Sequence, residues 1–197
     1  MIASTIEKNE LLELEILNHI EYTQKMTTRL IASHLGCNLR LTHALLKKLI
    51  SKGLLDVKKI NSRNWQYFLT PAGITAKANK TYKFFEFSMK FYQQARERSS
   101  SLCVELMNDA KLDVAFFGCG QLAEIAYLSV RESNLKLIEV YGDNRSNFLG
   151  HPVLDFKGLN ATRADAVIVC VYDKQHSAIQ FLNDIHPNMV KWIFLEV

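Results

Sequence analysis

The chain has 197 residues, 48% of them hydrophobic and 22% charged, a balance that excludes a disordered chain and fits one large domain or two small ones. No apolar run reaches the roughly 20 residues of a membrane helix, and the acidic, amphipathic N-terminus lacks the pattern of a secretory signal. The net charge of +4 is uneven: residues 1–110 carry 16 Lys/Arg against 10 Asp/Glu, and residues 25–64 alone carry nine basic residues against Asp56, which points to a polyanionic partner for the N-terminal half.

Leu11, Leu12, Ile16, Leu17 and Ile20 recur at helical spacing and predict a first helix over 8–22. Thr27-Thr28 caps a second helix with Leu30, Ile31 and Leu35 inward, ended by Gly36. Cys37-Asn38 leads into a third, with Thr42, Leu45, Leu46, Leu49 and Ile50 inward, closing near Lys52-Gly53. Leu54–Ile60 and Trp65–Leu69 predict two strands around the polar tip Asn61-Ser62-Arg63-Asn64. Three helices followed by a hairpin is the order of a winged helix-turn-helix, in which the third helix enters the major groove of DNA. Arg40, His43 and Lys47 fall on the exposed face of that helix. Arg40 suits the bidentate contact to guanine, and Asn38 at the helix start suits a phosphate or a base edge. Thr27 and Thr28 belong to the same surface, and Lys58, Lys59 and Arg63 on the hairpin serve phosphates.

The runs GCNLRLTHALLKKLISKGLL and YFLTPAGITAKANKTYKFFEFSMKFYQ resemble the MarR-type regulators associated with exopolysaccharide gene clusters, over residues 9–98. The resemblance implies a transcriptional regulator that binds double-stranded DNA. It says nothing of residues 110–197.

Thr70-Pro71 starts a long helix to about Ser99. Ile74, Ala78, Thr81, Phe85, Ser88 and Tyr92 form one stripe on it, with Phe84, Phe87 and Phe91 beside it. That aromatic area predicts a homodimer contact through residues 71–98. Ser99-Ser100-Ser101 predicts a break, with a short helix over Leu102–Ala110.

Beyond residue 110 the pattern alternates strand and helix. Val114–Phe117 is a buried-strand run, a helix runs to about Glu132, and Leu135–Tyr141 is the next strand. Ala166–Val171 follows, then a helix over Lys174–Asp184 and a last strand over Val190–Leu195. This predicts a Rossmann-like parallel sheet. Gly118-Cys119-Gly120 and Ala123 match G-x-G-x-x-G/A between a strand and a helix, the pattern that brings backbone and a helix N-terminus to a phosphate. Asp143, past the second strand, takes the place of the acid that meets a ribose, with Glu139 as the nearer alternative. The four cysteines, Cys37, Cys103, Cys119 and Cys170, form no CxxC pair, which argues against zinc ribbons, disulfide scaffolds and dithiol chemistry and for a cytoplasmic setting.

DVAFFGCGQLAE and LIEVYGDNRSNFLGHPVLDF resemble the N-terminal domain of PglD-type sugar acyltransferases, at Gly118, Gly120, Glu124, Asp143, Asn144, Gly150, Pro152 and Val153. This implies a nucleotide or nucleotide-sugar ligand; without a hexapeptide-repeat domain it does not imply acetyl transfer. The order winged helix then Rossmann domain also resembles the Rex redox sensors, which implies NAD(H). The chain stops at Val197 where Rex-type regulators continue into an exchanged helix, which ranks NAD(H) second. The expected ligand set is Gly118, Cys119, Gly120, Gln121, Leu122, Asp143, Asn144, His151, Tyr172, Asp173 and Lys174, with no catalytic or metal-binding residue.

The sequence thus predicts an α/β fold plus winged helix. Residues 1–70 bind DNA, 71–110 connect and dimerise, and 111–197 form a Rossmann-like ligand domain. The expected function is a transcriptional regulator that senses a nucleotide-containing molecule; a non-DNA-binding adaptor or a nucleotide-sugar enzyme is the competing class.

Overall fold

Helices α1 (Lys8–Tyr22), α2 (Thr28–His34) and α3 (Leu39–Ser51) precede an antiparallel pair, β1 (Leu55–Asn61) and β2 (Asn64–Leu69), and then helix α4 (Pro71–Asn108). The computed structural model describes residues 8–22, 27–61, 64–143, 145–172, 177–185 and 187–194, and the chain divides into two units, 1–88 and 89–197.

Local chemistry sets the first unit. The Thr27 hydroxyl accepts the Leu30 N–H (3.3 Å) and so caps α2, and the Asn38 carboxamide oxygen accepts the Leu41 N–H (2.8 Å) and caps α3. Gly53, at φ +69°, takes the left-handed turn that ends α3. Leu12, Ile16, Leu17 and Ile20 of α1 meet Ile31, Leu45, Leu46 and Leu49, with Leu55 and Tyr67 of the hairpin closing the core. Leu11 and Leu30, expected inward, are exposed. With seven residues, α2 makes under two turns, enough for Ile31 and Ala32 alone to be fully buried.

The start of α4 is fastened to the turn after α3. The Thr70 hydroxyl donates to the Gly53 carbonyl (2.7 Å) and accepts the Gly73 N–H (2.9 Å), while the Thr70 N–H donates to Leu54 O (3.2 Å). Gly73 lies so close to that strand entry that a Cβ would stand 2.0 Å from Leu54 O.

Glu13, unremarked in the sequence, is 1% exposed. Its carboxylate lies 2.8 Å from Lys48 Nζ and 3.0 Å from Lys80 Nζ, with Lys52 Nζ at 4.0 Å. Burial raises its pKa, but the Lys48 and Lys80 ammoniums outweigh burial and hold it below the ordinary value. A depressed carboxyl pKa contributes stability above its unfolded value and loses it as pH falls through the folded one. The melting temperature is therefore expected to drop on acidification below about pH 4.5, and Glu13→Gln to flatten that drop. Parallel pH profiles for the two proteins would remove Glu13 from this role.

In the second unit the sheet order is β5-β6-β4-β3-β7-β8, built from β3 (Asp113–Phe117), β4 (Lys136–Tyr141), β5 (Asn147–Phe148), β6 (His151–Leu154), β7 (Ala166–Val169) and β8 (Val190–Trp192). All neighbours are parallel except β5 with β6. Taken along the chain, the parallel strands stand in the order 3-2-1-4-5, that of a doubly wound nucleotide-binding sheet. Ala166 to Val169 and Val114 to Phe117 are wholly buried, as central parallel strands must be. Helix α5 (Gln121–Glu132) and the Ala95–Leu106 part of α4 cover one face, and 3-10 segments at Phe156–Ala161 and Ser177–Asp184 cover the other. The fold is α/β plus winged helix.

Three expectations are corrected. The serine run does not break α4, which is one helix of 38 residues. Ser99 is buried, the Ser101 hydroxyl donates to Glu97 O (2.9 Å), and the Ser100 and Ser129 hydroxyls lie 3.3 Å apart; small residues here let α4 and α5 approach. The helix expected over 174–184 is 3-10 where described, in a segment bounded by Asn183-Asp184 and Pro187, all weak helix formers. The loop expected after β4 holds β5 and β6, joined by a tight turn with Leu149 at φ 48° and Gly150 at φ 94°.

Candidate functional site

In the first unit, α3 buries Thr42, Leu45, Leu46 and Leu49 and exposes Arg40, His43 and Lys47. The exposed three sit at i, i+3 and i+7 and form one stripe opposite the core. Lys58 and Lys59 are exposed on β1. Arg63 lies outside the described residues. The Asn38 carboxamide oxygen is engaged in capping α3 and the Thr27 hydroxyl oxygen in capping α2, each as an acceptor. The Thr28 hydroxyl is 2.9 Å from the Tyr67 hydroxyl and ties α2 to the hairpin. Neither α2 nor α3 has an acidic residue in its first turn.

In the second unit the chain leaves β3 toward β4 on one side, and β7 lies on the other, so the topological switch point falls between β3 and β7. The loops that follow these two strands meet there. Gly118, at φ +105°, approaches β7's exit so closely that a Cβ would stand 2.8 Å from Val171 Cγ1 and 3.0 Å from Cys170 O. Gly120 precedes α5 in extended backbone, and nothing lies within 4 Å of where its Cβ would be. The two glycines thus differ: Gly118 is required by the protein itself, and Gly120 leaves open space at the α5 N-terminus. Gln121 is exposed beside it, whereas the Leu122 side chain is in the core and offers only its backbone.

Asp143 comes to the same place. The Cys119 thiol donates to Asp143 O (3.5 Å), and Gly142 leaves room for Cys119, since a Cβ there would stand 2.5 Å from its sulfur. Glu139, the alternative acid, accepts from the Tyr141 hydroxyl (3.0 Å) and the Arg163 N–H (3.3 Å) and serves the sheet instead. The Tyr172 hydroxyl faces the Leu122 backbone N–H at the start of α5, and its ring packs on Phe91 at 5.6 Å. Asn144, Asp173 and Lys174 lie outside the described residues.

His151 was expected in the crevice and lies elsewhere. It is the first residue of β6, two before the Val140↔Val153 pair, so parallel pairing sets it back from the carboxyl ends of the strands. There its ring meets Tyr127 edge-on at 6.1 Å. Burial pushes the Cys119 thiol up, against the opposing pull of Arg145. Burial alone raises Cys170. Both thiols are held protonated and are poor nucleophiles. Among the described residues no group of His, Cys, Asp and Glu is arranged to hold a metal ion.

No family model matches the chain, and no curated protein does. Among solved structures, MepR, the transcription regulator of the Staphylococcus aureus multidrug efflux pump MepA, is similar at 20% identity over 54% of this chain and 81% of its own, with a TM-score of 0.39. A MarR family transcription regulator is similar at 20% identity over 54% of this chain and 81% of its own, with a TM-score of 0.35. Human N-acetylserotonin methyltransferase in complex with SAM is similar at 13% identity over 82% of this chain and 65% of its own, with a TM-score of 0.33. Similarity at this level assigns neither a family nor an activity.

Two residues at these sites escaped the sequence reading. Arg145 pairs with Glu124 of α5 (3.1 Å) and places a cation near the glycine loop; its place directly after Asp143-Asn144 was the available signal. Trp65 is exposed on the hairpin beside Lys59. In the sequence it reads as one more strand residue.

Proposed function

We propose that this chain is a DNA-binding transcription regulator whose α/β unit binds a nucleotide-containing small molecule. The observation that carries the DNA reading is the split of α3 between a buried apolar face and an exposed Arg40–His43–Lys47 stripe, within a unit of winged-helix order. A helix with that stripe fits the major groove, Arg40 at its start suits a guanine edge, and Lys58 and Lys59 suit phosphates. The chain is not an enzyme on this reading. Salt supplies the test: anisotropy of a labelled duplex should report affinity falling steeply as salt rises, because phosphate contacts release counterions. An absence of affinity at low salt would leave the winged helix as an adaptor module.

The ligand reading is supported by the open space at Gly120 and the convergence of Gly118, Asp143 and Tyr172 at the switch point. A nucleotide sugar of polysaccharide synthesis is the first candidate and NAD(H) the second, each with its diphosphate at the α5 N-terminus. Gly120→Val is expected to keep the melting temperature, since its Cβ meets nothing and its backbone is extended, while abolishing ligand binding. A thermal-shift series with UDP-glucose, GDP-mannose and NADH reads this, because a ligand at about 100 times its Kd stabilises by about 2.7 kcal/mol. Equal shifts in wild type and variant would move the ligand away from this loop.

A homodimer through α4 belongs to the same proposal. Tyr82 is 66% and Phe85 60% exposed, with Phe84, Met89 and Tyr92 also open to solvent. Apolar area of this extent on one helix favours a partner surface. Phe91 is excepted, being packed on Tyr172 and Phe194.

A further inference from the structure

Helices α2, α3 and α4 are each capped by the side chain of the residue just before them, Thr27, Asn38 and Thr70. Helix α5 is not: Gly120 stands at its cap position and has no side chain to give. The acceptor comes from another strand's exit instead. Tyr172, three residues past β7, sets its hydroxyl oxygen against the N–H of Leu122, the second residue of α5. That N–H is among the free donors with which a helix start meets a phosphate. The Tyr172 ring is 43% exposed and rests on Phe91 of α4, at 5.6 Å between centroids and 55° between planes. Phe91 is seated in turn on Phe194, at 5.2 Å.

We propose that Tyr172 is a displaceable plug: a ligand's diphosphate takes the Leu122 N–H from its hydroxyl, and the departing ring uncovers Phe91 on α4. The inference rests on the reading of the Gly118–Ala123 loop as a diphosphate site, and it gives that site a means of signalling its occupancy. Acceptor strength decides the exchange. Burial raises the pKa of the hydroxyl against the pull of the Leu122 N–H, so the hydroxyl stays neutral. A neutral oxygen accepts roughly half as strongly as an ionised one such as a phosphate oxyanion. Gly120 gives the diphosphate room to arrive, since nothing lies within 4 Å of where its Cβ would be. The half-exposed Tyr172 gives up a ring contact and a neutral hydrogen bond when it leaves. The stretch of α4 around Phe91 then loses packing, and its backbone opens more readily.

Calorimetric titration of UDP-glucose and of NADH into the full chain tests this, beside hydrogen exchange read by mass spectrometry. Tyr172→Phe keeps the ring and removes the competing oxygen. A nucleotide that binds the wild type should therefore bind this variant roughly two- to tenfold more tightly. A tyrosine that only capped α5 would instead lower the melting temperature and leave affinity unchanged. The α4 peptide containing Phe91 should exchange faster with nucleotide bound than without it. In Tyr172→Ala it should exchange fast in both states. Equal or weaker affinity in Tyr172→Phe, or an α4 peptide that bound nucleotide leaves unchanged in the wild type, overturns the inference and leaves the ligand reading standing. No binding of either nucleotide to wild type or variant overturns both.

Discussion

Arg40→Ala is expected to weaken binding to a preferred duplex, selected from a random pool, by about 1–3 kcal/mol, while binding to random duplex changes little. Arg40 is the second residue of α3 and exposed. A helix entering the major groove presents its first turns to the base edges. The guanidinium fork matches the two acceptors of guanine, and its removal deletes sequence information more than charge. Arg40→Lys separates the two: the charge remains and the fork is lost, so random binding should stay near wild type and selectivity should fall. A uniform loss on selected and random duplexes in Arg40→Ala would make Arg40 a phosphate contact and return the base-reading role to His43 and Lys47.

The second large effect concerns stability. Gly73→Ala should destabilise the chain by about 1–3 kcal/mol or more through overpacking, although alanine favours a helix interior over glycine by about 1 kcal/mol. Its Cβ would stand 2.0 Å from Leu54 O and 3.0 Å from Leu54 C, both backbone atoms that cannot swing aside. Relief requires the start of α4 to back away from β1, which strains the Thr70 hydroxyl bond to Gly53 and the Thr70 N–H bond to Leu54. Urea unfolding followed by circular dichroism reads the outcome. A variant as stable as wild type would mean that α4 is not held against Leu54 in solution.

What the sequence disclosed and what it hid divide along physical lines. The caps Thr27 and Thr70, the turn at Gly53 and the two faces of α3 were legible, because each depends on a few neighbouring residues. The loop from Gly118 to Ala123 was legible for the same reason, between a strand and a helix. The serine run was misread because local propensity points to a break there, whereas close approach of α5 decides it. Glu13 was missed because its burial depends on Lys48 and Lys80, distant in sequence and near in space. His151 was misplaced because its depth follows from the parallel register of β6 on β4. Capping occupies the carboxamide oxygen of Asn38 and leaves its NH2 as the donor.

The neutral caps of α2 and α3 bear on the charge of the first unit. Aspartate in a first turn typically adds about 0.3–1 kcal/mol by meeting the partial positive charge of the helix end. Thr27 and Asn38 satisfy a backbone N–H at each end without cancelling that charge, and no carboxylate follows in either first turn. Each helix start therefore behaves as a fractional cation that no pH change can neutralise. It adds to the positive field of the lysines and arginines, and remains where those side chains would be exchanged for neutral ones.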